Sequence, residues 1–202
     1  MNYAIIVILM LLHATVGWTQ SIQQDLPMTD LRRPQLAARN LAIYEQQAIL
    51  KLRDVLDYVS LIGSSQYDAT MRATATESVE AAFDGEALIA CNWVLTTEKE
   101  GATCSLTTLL QTLLNKAPAI LQIEAKNIRI KQGLKQQSET EYTGQLIYQQ
   151  LVSVQKTPTE TAQKTKQNII LDFTLKRIVK QFGTDQDEVW EVQFLSVKSK
   201  VK

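Results

Sequence analysis

From Ile120 to the C-terminus the chain reads as four long strands in succession. No other stretch constrains the fold as strongly. A meander of this length builds a sheet with one apolar face, and the rest of the chain must cover that face. The reading rests on alternation of apolar and polar residues. Ile128 and Ile130 alternate within 120–132, and Leu146, Tyr148, Val152 and Val154 share one face of 142–156. Ile169, Leu171, Phe173, Leu175 and Val179 share one face of 167–182. In 188–202, Trp190, Val192 and Phe194 lie together, whereas Leu195 and Val197 fall in the opposite parity. A parity change inside a strand predicts a bulge, here near Phe194. The connecting segments 136–141, 157–166 and 183–187 are polar and turn-like.

The first half supplies the cover. Pro34 suits the first turn of a helix. Leu41, Tyr44, Ala48, Leu52, Val55, Val59 and Ile62 then form one helical stripe, which Gly63-Ser64-Ser65 ends. A second helix is expected over 67–83, with Met71, Ala75, Val79 and Phe83 inward and Asp84-Gly85 closing it. Residues 87–95 read as a strand with Ile89, Cys91, Trp93 and Leu95 on one side. Ser105 is placed to cap a short helix over 106–116, with Leu106, Leu109, Leu110, Leu113 and Leu114 inward, and Pro118 stops it. The sum is an α+β domain, with a strongly curved antiparallel sheet packed against two to three N-terminal helices.

The N-terminus adds a compartment. Ala4 to Leu12 is an unbroken apolar run followed by His13 and small residues, and no charge precedes Asp25. This is the length of a signal-peptide core and too short for a membrane-spanning helix. The expected division is a signal peptide at 1–20, cleaved between Gly17 and Ser21, a polar lead-in at 21–33 and one domain at 34–202. That places the mature chain in the periplasm or outside the cell. His13 is the only histidine, so cleavage leaves no imidazole for catalysis or metal binding. The 21 basic and 21 acidic residues balance, without the concentrated basic face that nucleic acid requires.

Cys91 and Cys104 are the only cysteines. A hairpin turning at Thr97-Glu98 sets them opposite each other. Two outcomes stay open: a cross-strand disulfide, or two buried thiols acting as small apolar side chains.

The order helix, helix, strand, turn, short helix and four long strands resembles the nuclear-transport-factor-2-like superfamily over Leu36 to Val201. This is the cone-shaped fold shared with SnoaL-like cyclases and ketosteroid isomerase. Three features carry the resemblance: the opening helix from Leu41-Ala42-Ile43-Tyr44 to Val59, the strand-turn-helix of 88–114, and the last strand, Trp190-Glu191-Val192 with Leu195 and Val197. They look like those of the exported members found in Bacteroidota. The resemblance implies a pocket within the cone, closed by the first helix. In the enzymes that pocket holds an Asp or His with a hydroxyl-bearing partner. It also implies dimerisation through the outer sheet face, and it marks Trp93 and Trp190 as pocket residues.

Individual candidates follow. Asp172 interrupts an apolar run, and a buried carboxylate there would have its pKa raised toward that of a general base. Its parity with Thr174 and Lys176 places it instead on the solvent face. Gln150 sits in the apolar register of its strand, where it either orients a ligand or is turned outward by a bulge; the bulge is the expectation. Tyr58, Tyr148, Trp93 and Trp190 either line a cavity or belong to the core. The acidic run at 184–188 lacks the spacing of a calcium loop. No phosphate loop, nucleophile elbow or Cys/His ligand set is present, and no cofactor or metal is implied. The expected role is a non-catalytic exported domain binding a small apolar molecule or a protein, with no nucleic acid and no membrane once the signal is removed. The alternatives are a SnoaL-like enzyme using Asp or Tyr and an anchored periplasmic scaffold of a secretion system.

Overall fold

The computed structural model describes residues 36–94, 101–157, 159–182 and 185–200. The signal at 1–20, the lead-in at 21–33 and the turn at Thr97-Glu98 lie outside them. Helix α1 (Ala38–Ile62) buries Ala48, Leu52, Val55, Leu56, Val59 and Ile62, the stripe read from its spacing. Gly63 caps its end, with its N–H on the Val59 carbonyl. Helix α2 (Ala69–Ala82) begins at Asp68, whose side chain accepts the Met71 N–H at 2.9 Å. That start puts Met71 in the first turn on the solvent side, 46 % exposed, rather than inward. Helix α3 (Leu106–Asn115) is capped by Ser105 and buries Leu106, Leu109, Leu110 and Leu113.

Six strands form one sheet in the order β2-β1-β6-β5-β4-β3: β1 (Phe83–Ala90), β2 (Thr103–Ser105), β3 (Ile120–Ser138), β4 (Glu141–Gln155), β5 (Gln163–Phe182) and β6 (Asp185–Lys200). The four-strand meander is as read. The sheet is mixed rather than antiparallel throughout, because β1 joins β6 in parallel. Asp84 and Gly85 do not turn the chain. Helix α2 passes straight into β1 at Phe83, and the Asp84 carboxylate takes the Lys176 amine at 2.5 Å. Strand β1 stops at Ala90, and Cys91–Trp93 form one 3-10 turn, so the alternation expected through residue 95 ends early. The register sets Ile89 opposite Cys104 instead of Cys91. Both cysteines are thiols.

Two bulges shape the sheet. In β6, Asp172 faces Ser196 while Phe173 faces Phe194, so Leu195 is the extra residue and the expected bulge is present. In β3, Lys126 faces Gln149 while Arg129 faces Ile147, and Asn127 adopts a left-handed φ of 55°. Asparagine tolerates that conformation better than most residues.

Helix α1 crosses the concave face and also guards the free edge of β3. Ser64 Oγ accepts the Leu121 N–H at 2.8 Å, Ser60 Oγ the Ile123 N–H at 3.1 Å and Glu45 Oε1 the Leu134 N–H at 2.8 Å. Gly133 makes room for that carboxylate, since a Cβ there would sit 2.9 Å from Glu45 Oε1. An edge strand so occupied is closed to pairing along those groups. From α2, Arg72 reaches two helix ends at once: Nε donates to the Ile62 carbonyl and Nη2 to the Leu114 carbonyl, each at 2.8 Å.

Candidate functional site

The polar residues that converge inside the cone come from four elements. The 3-10 turn brings in Trp93, β4 brings Tyr148 and Gln150, β5 brings Gln167 and β6 brings Ser199. The Trp93 Nε1–H is shared between Tyr148 Oη at 2.9 Å and Gln150 Oε1 at 3.0 Å. The Tyr148 hydroxyl donates to Gln150 Oε1 at 3.1 Å. The carbonyl of Trp93 accepts Gln150 Nε2 at 2.5 Å and Gln167 Nε2 at 2.6 Å. Ser199 Oγ donates to Gln167 Oε1 at 2.9 Å. Gln150 is therefore not turned outward. It is fully buried, and no bulge interrupts the pairing of β4 with β5 that sets it opposite Gln167. Gln167, which shares the parity of Ile169 and Leu171, was legible as its partner.

This cluster is a buried network whose members satisfy one another. Burial drives the Tyr148 phenol far above its ordinary value, against a smaller opposing pull from the Trp93 hydrogen bond. The phenol stays protonated. No carboxylate belongs to the network, so it contains no base to take a proton. One buried group stands apart: Asn92 Oδ1, beside Trp93, has no hydrogen-bond partner among the described residues.

The remaining candidates do not join this network. Trp190 packs edge-on against Tyr142, with centroids 5.6 Å apart, and the Arg177 guanidinium lies 6.0 Å from its ring. Tyr142 and Tyr148 are six residues apart on β4, which is about 20 Å along a strand. Tyr142 Oη also accepts the Leu36 N–H, tying the lead into α1 to this end of the sheet. Tyr58 lies on α1 and is 39 % exposed. Asp172 is on the outer face, as its parity indicated. Gln145 Nε2, Ser196 Oγ and Lys198 Nζ each donate to it at 2.6 Å. Burial opposes its ionisation, but those three hydrogen bonds and the Lys198 charge outweigh burial and hold the carboxyl below its usual range. Asp172 is thus a tethered anion and lacks the raised pKa of a base.

A prediction follows for pH. The folded pKa of Asp172 lies below the unfolded value, so its contribution is complete above the ordinary value of 3.8 and fades as the pH falls through the folded value. Urea midpoints of wild type and Asp172→Asn should differ at pH 7 and converge on acidification. A gap that stays constant at low pH would disprove it.

Lys51 was not anticipated. It lies on the half-buried flank of α1, where its amine donates to the Val192 carbonyl at 2.6 Å. Burial lowers its pKa, partly opposed by Glu191. Among the described residues no cluster of His, Cys, Asp and Glu could hold a metal, and no helix is long and apolar enough to cross a membrane.

The helix order, the bulged sheet and the helix across its concave face are those the resemblance implies. The fold is nuclear-transport-factor-2-like. Solved structures with a similar chain path include an NTF-2-like protein of unknown function from Pseudomonas aeruginosa, at a TM-score of 0.41 and 14 % identity, covering 77 % of this chain and 95 % of that one. Aln2 from a Streptomyces species matches at a TM-score of 0.46 and 10 % identity, covering 82 % and 94 %. A hexachlorocyclohexane dehydrochlorinase, LinA type 3, from Novosphingobium barchaimii matches at 0.44 and 12 % identity, covering 81 % and 90 %. No protein-family model and no curated protein sequence matches the chain.

Proposed function

We propose that the chain is a non-catalytic exported domain that acts by binding a protein partner. The observation that carries this reading is the occupied interior. Trp93, Tyr148, Phe173 and Phe194 are fully buried on the concave side, and the polar atoms of Tyr148, Gln150 and Gln167 are engaged with Trp93 and Ser199. A small apolar ligand would need the space these side chains fill. An acid–base mechanism would need a carboxylate on that side, and Asp172 faces the other way.

The outside offers a place for a partner. Strand β5 runs on beyond Lys176, where its pairing with β4 ends, and β6 pairs with β1 only from Phe194 onward. Residues 178–189 thus form a two-stranded ribbon with both outer edges clear of other strands among the described residues. Val179 on this ribbon is 62 % exposed. Open strand edges beside exposed apolar side chains are where another chain adds a strand. Export rests on the apolar run from Ala4 to Leu12.

A photo-crosslinking side chain at Val179, in the full chain made by its own cell, should give one discrete heavier adduct. The same group at Leu50, exposed on α1, should give none. Saturable uptake of an apolar fluorophore by the folded protein, or no adduct from any ribbon position, would reject the reading. N-terminal sequencing of the exported protein should begin between Gly17 and Ser21; a start at Met1 excludes cleavage.

A further inference from the structure

The convex face of the sheet carries a cleft of about 480 Å³ at the β3 bulge, lined by Asn127, Ile128, Arg129, Ile147, Gln149 and Asn168. The bulge creates it. Before Asn127 the odd-numbered residues Leu121 and Ile123 face the core; after it, Ile128 and Ile130 pack there. One extra residue exchanges the two faces, so Arg129 emerges on the convex side, opposite Ile147. Without that residue, the guanidinium would point into the core.

The neighbouring polar groups on this face are engaged with one another, whereas those in the cleft are not. Gln145 is tied to Asp172, Asp172 to Lys198, and Glu124 to Lys126 at 3.2 Å. The side chains of Asn127, Arg129, Gln149 and Asn168 have no hydrogen-bond or ion-pair partner among the described residues. Gln149 and Asn168 are half-buried and face each other across β4 and β5. The register continues the row outward, with Lys126 opposite Gln149 and Lys200 opposite Asn168. One guanidinium, two converging amides and an isoleucine floor therefore line one concavity of a size that suits a small molecule.

A guanidinium matches a carboxylate through two parallel hydrogen bonds. Side-chain amides both donate and accept, which is what a run of hydroxyls requires. Isoleucine accepts the C–H face of a ring. We propose that this cleft binds a sugar acid, its carboxylate on Arg129 and its hydroxyls on Gln149 and Asn168. The site is separate from the ribbon and from the interior of the cone, so it stands or falls independently of the partner reading.

Calorimetric titration of the full chain with glucuronate at low salt should give saturable binding at one site per chain, weakened by added salt. Glucose, which lacks the carboxylate, should not bind at the same concentrations. Arg129→Ala and Arg129→Gln should each lower affinity at least tenfold, and Gln149→Ala or Asn168→Ala several-fold. Lys135→Ala, at the far end of β3, should change nothing. Arg129 is exposed, so circular dichroism should show both variants folded. Absence of glucuronate binding, equal binding of glucose, or unchanged affinity in both Arg129 variants would overturn the proposal. A wild-type dimer that Arg129→Ala converts to monomer, without sugar-acid binding, would also overturn it by assigning the face to self-association.

Discussion

Gln150→Leu should lower the unfolding free energy by about 3 kcal/mol. The substitution keeps roughly the same volume in a fully buried position, so packing changes little. What changes is hydrogen bonding. The Tyr148 hydroxyl loses its acceptor, the Trp93 Nε1–H keeps only one of two acceptors, and the Trp93 carbonyl keeps only Gln167. Leaving a buried polar group unsatisfied costs about 1–3 kcal/mol, more than the net gain from making the bond. Urea unfolding followed by tryptophan fluorescence measures the loss directly. Adding Tyr148→Phe removes the orphaned hydroxyl and should recover part of the loss, a coupling of about 1 kcal/mol in a double-mutant cycle. A Gln150→Leu protein within about 0.5 kcal/mol of wild type would show that the network adds nothing to stability.

Arg72→Ala should cost about 3 kcal/mol and lower the melting temperature by on the order of 10 °C. Its guanidinium hydrogen-bonds the carbonyls of Ile62 and Leu114, at the C-terminal ends of α1 and α3. Those carbonyls carry the negative end of each helix dipole, so the bonds are charge-assisted. One planar group serves both ends, and a lysine amine cannot repeat that geometry. Arg72→Lys should therefore recover less than half of the loss. Calorimetric melting of the three proteins checks this, and equal stability of Arg72→Lys and wild type would contradict it.

Much of the fold was legible because the sheet is half-buried and its strands alternate. The parity of Leu195 against Phe194 announced the β6 bulge, and the parity of Asp172 with Lys176 announced its outer position. The same signal exists in β3, where Ile123 and Ile128 disagree in parity, but the intervening residues are polar and obscure the switch. Gln150 was misjudged because its partners are remote. Its cost of burial is met by the Trp93 backbone and indole, which lie 57 positions away in sequence. The early end of β1 has a similar origin. Cys91 continues the apolar alternation, yet its N–H is committed to the Ala102 carbonyl as the chain turns. The parallel pairing of β1 with β6 leaves no local pattern at all, since either strand would read the same beside another neighbour.

That parallel pairing also bears on timing. β1 has only three-residue β2 on one side and takes the rest of its ladder from β6. Lys51 likewise waits for a carbonyl 141 positions downstream. Contacts that close so large a loop form late and slowly. During synthesis, the N-terminal helices and β1 therefore emerge long before the strand that completes them exists. The final sixteen residues act as a latch, and until they arrive the chain remains open and can be threaded.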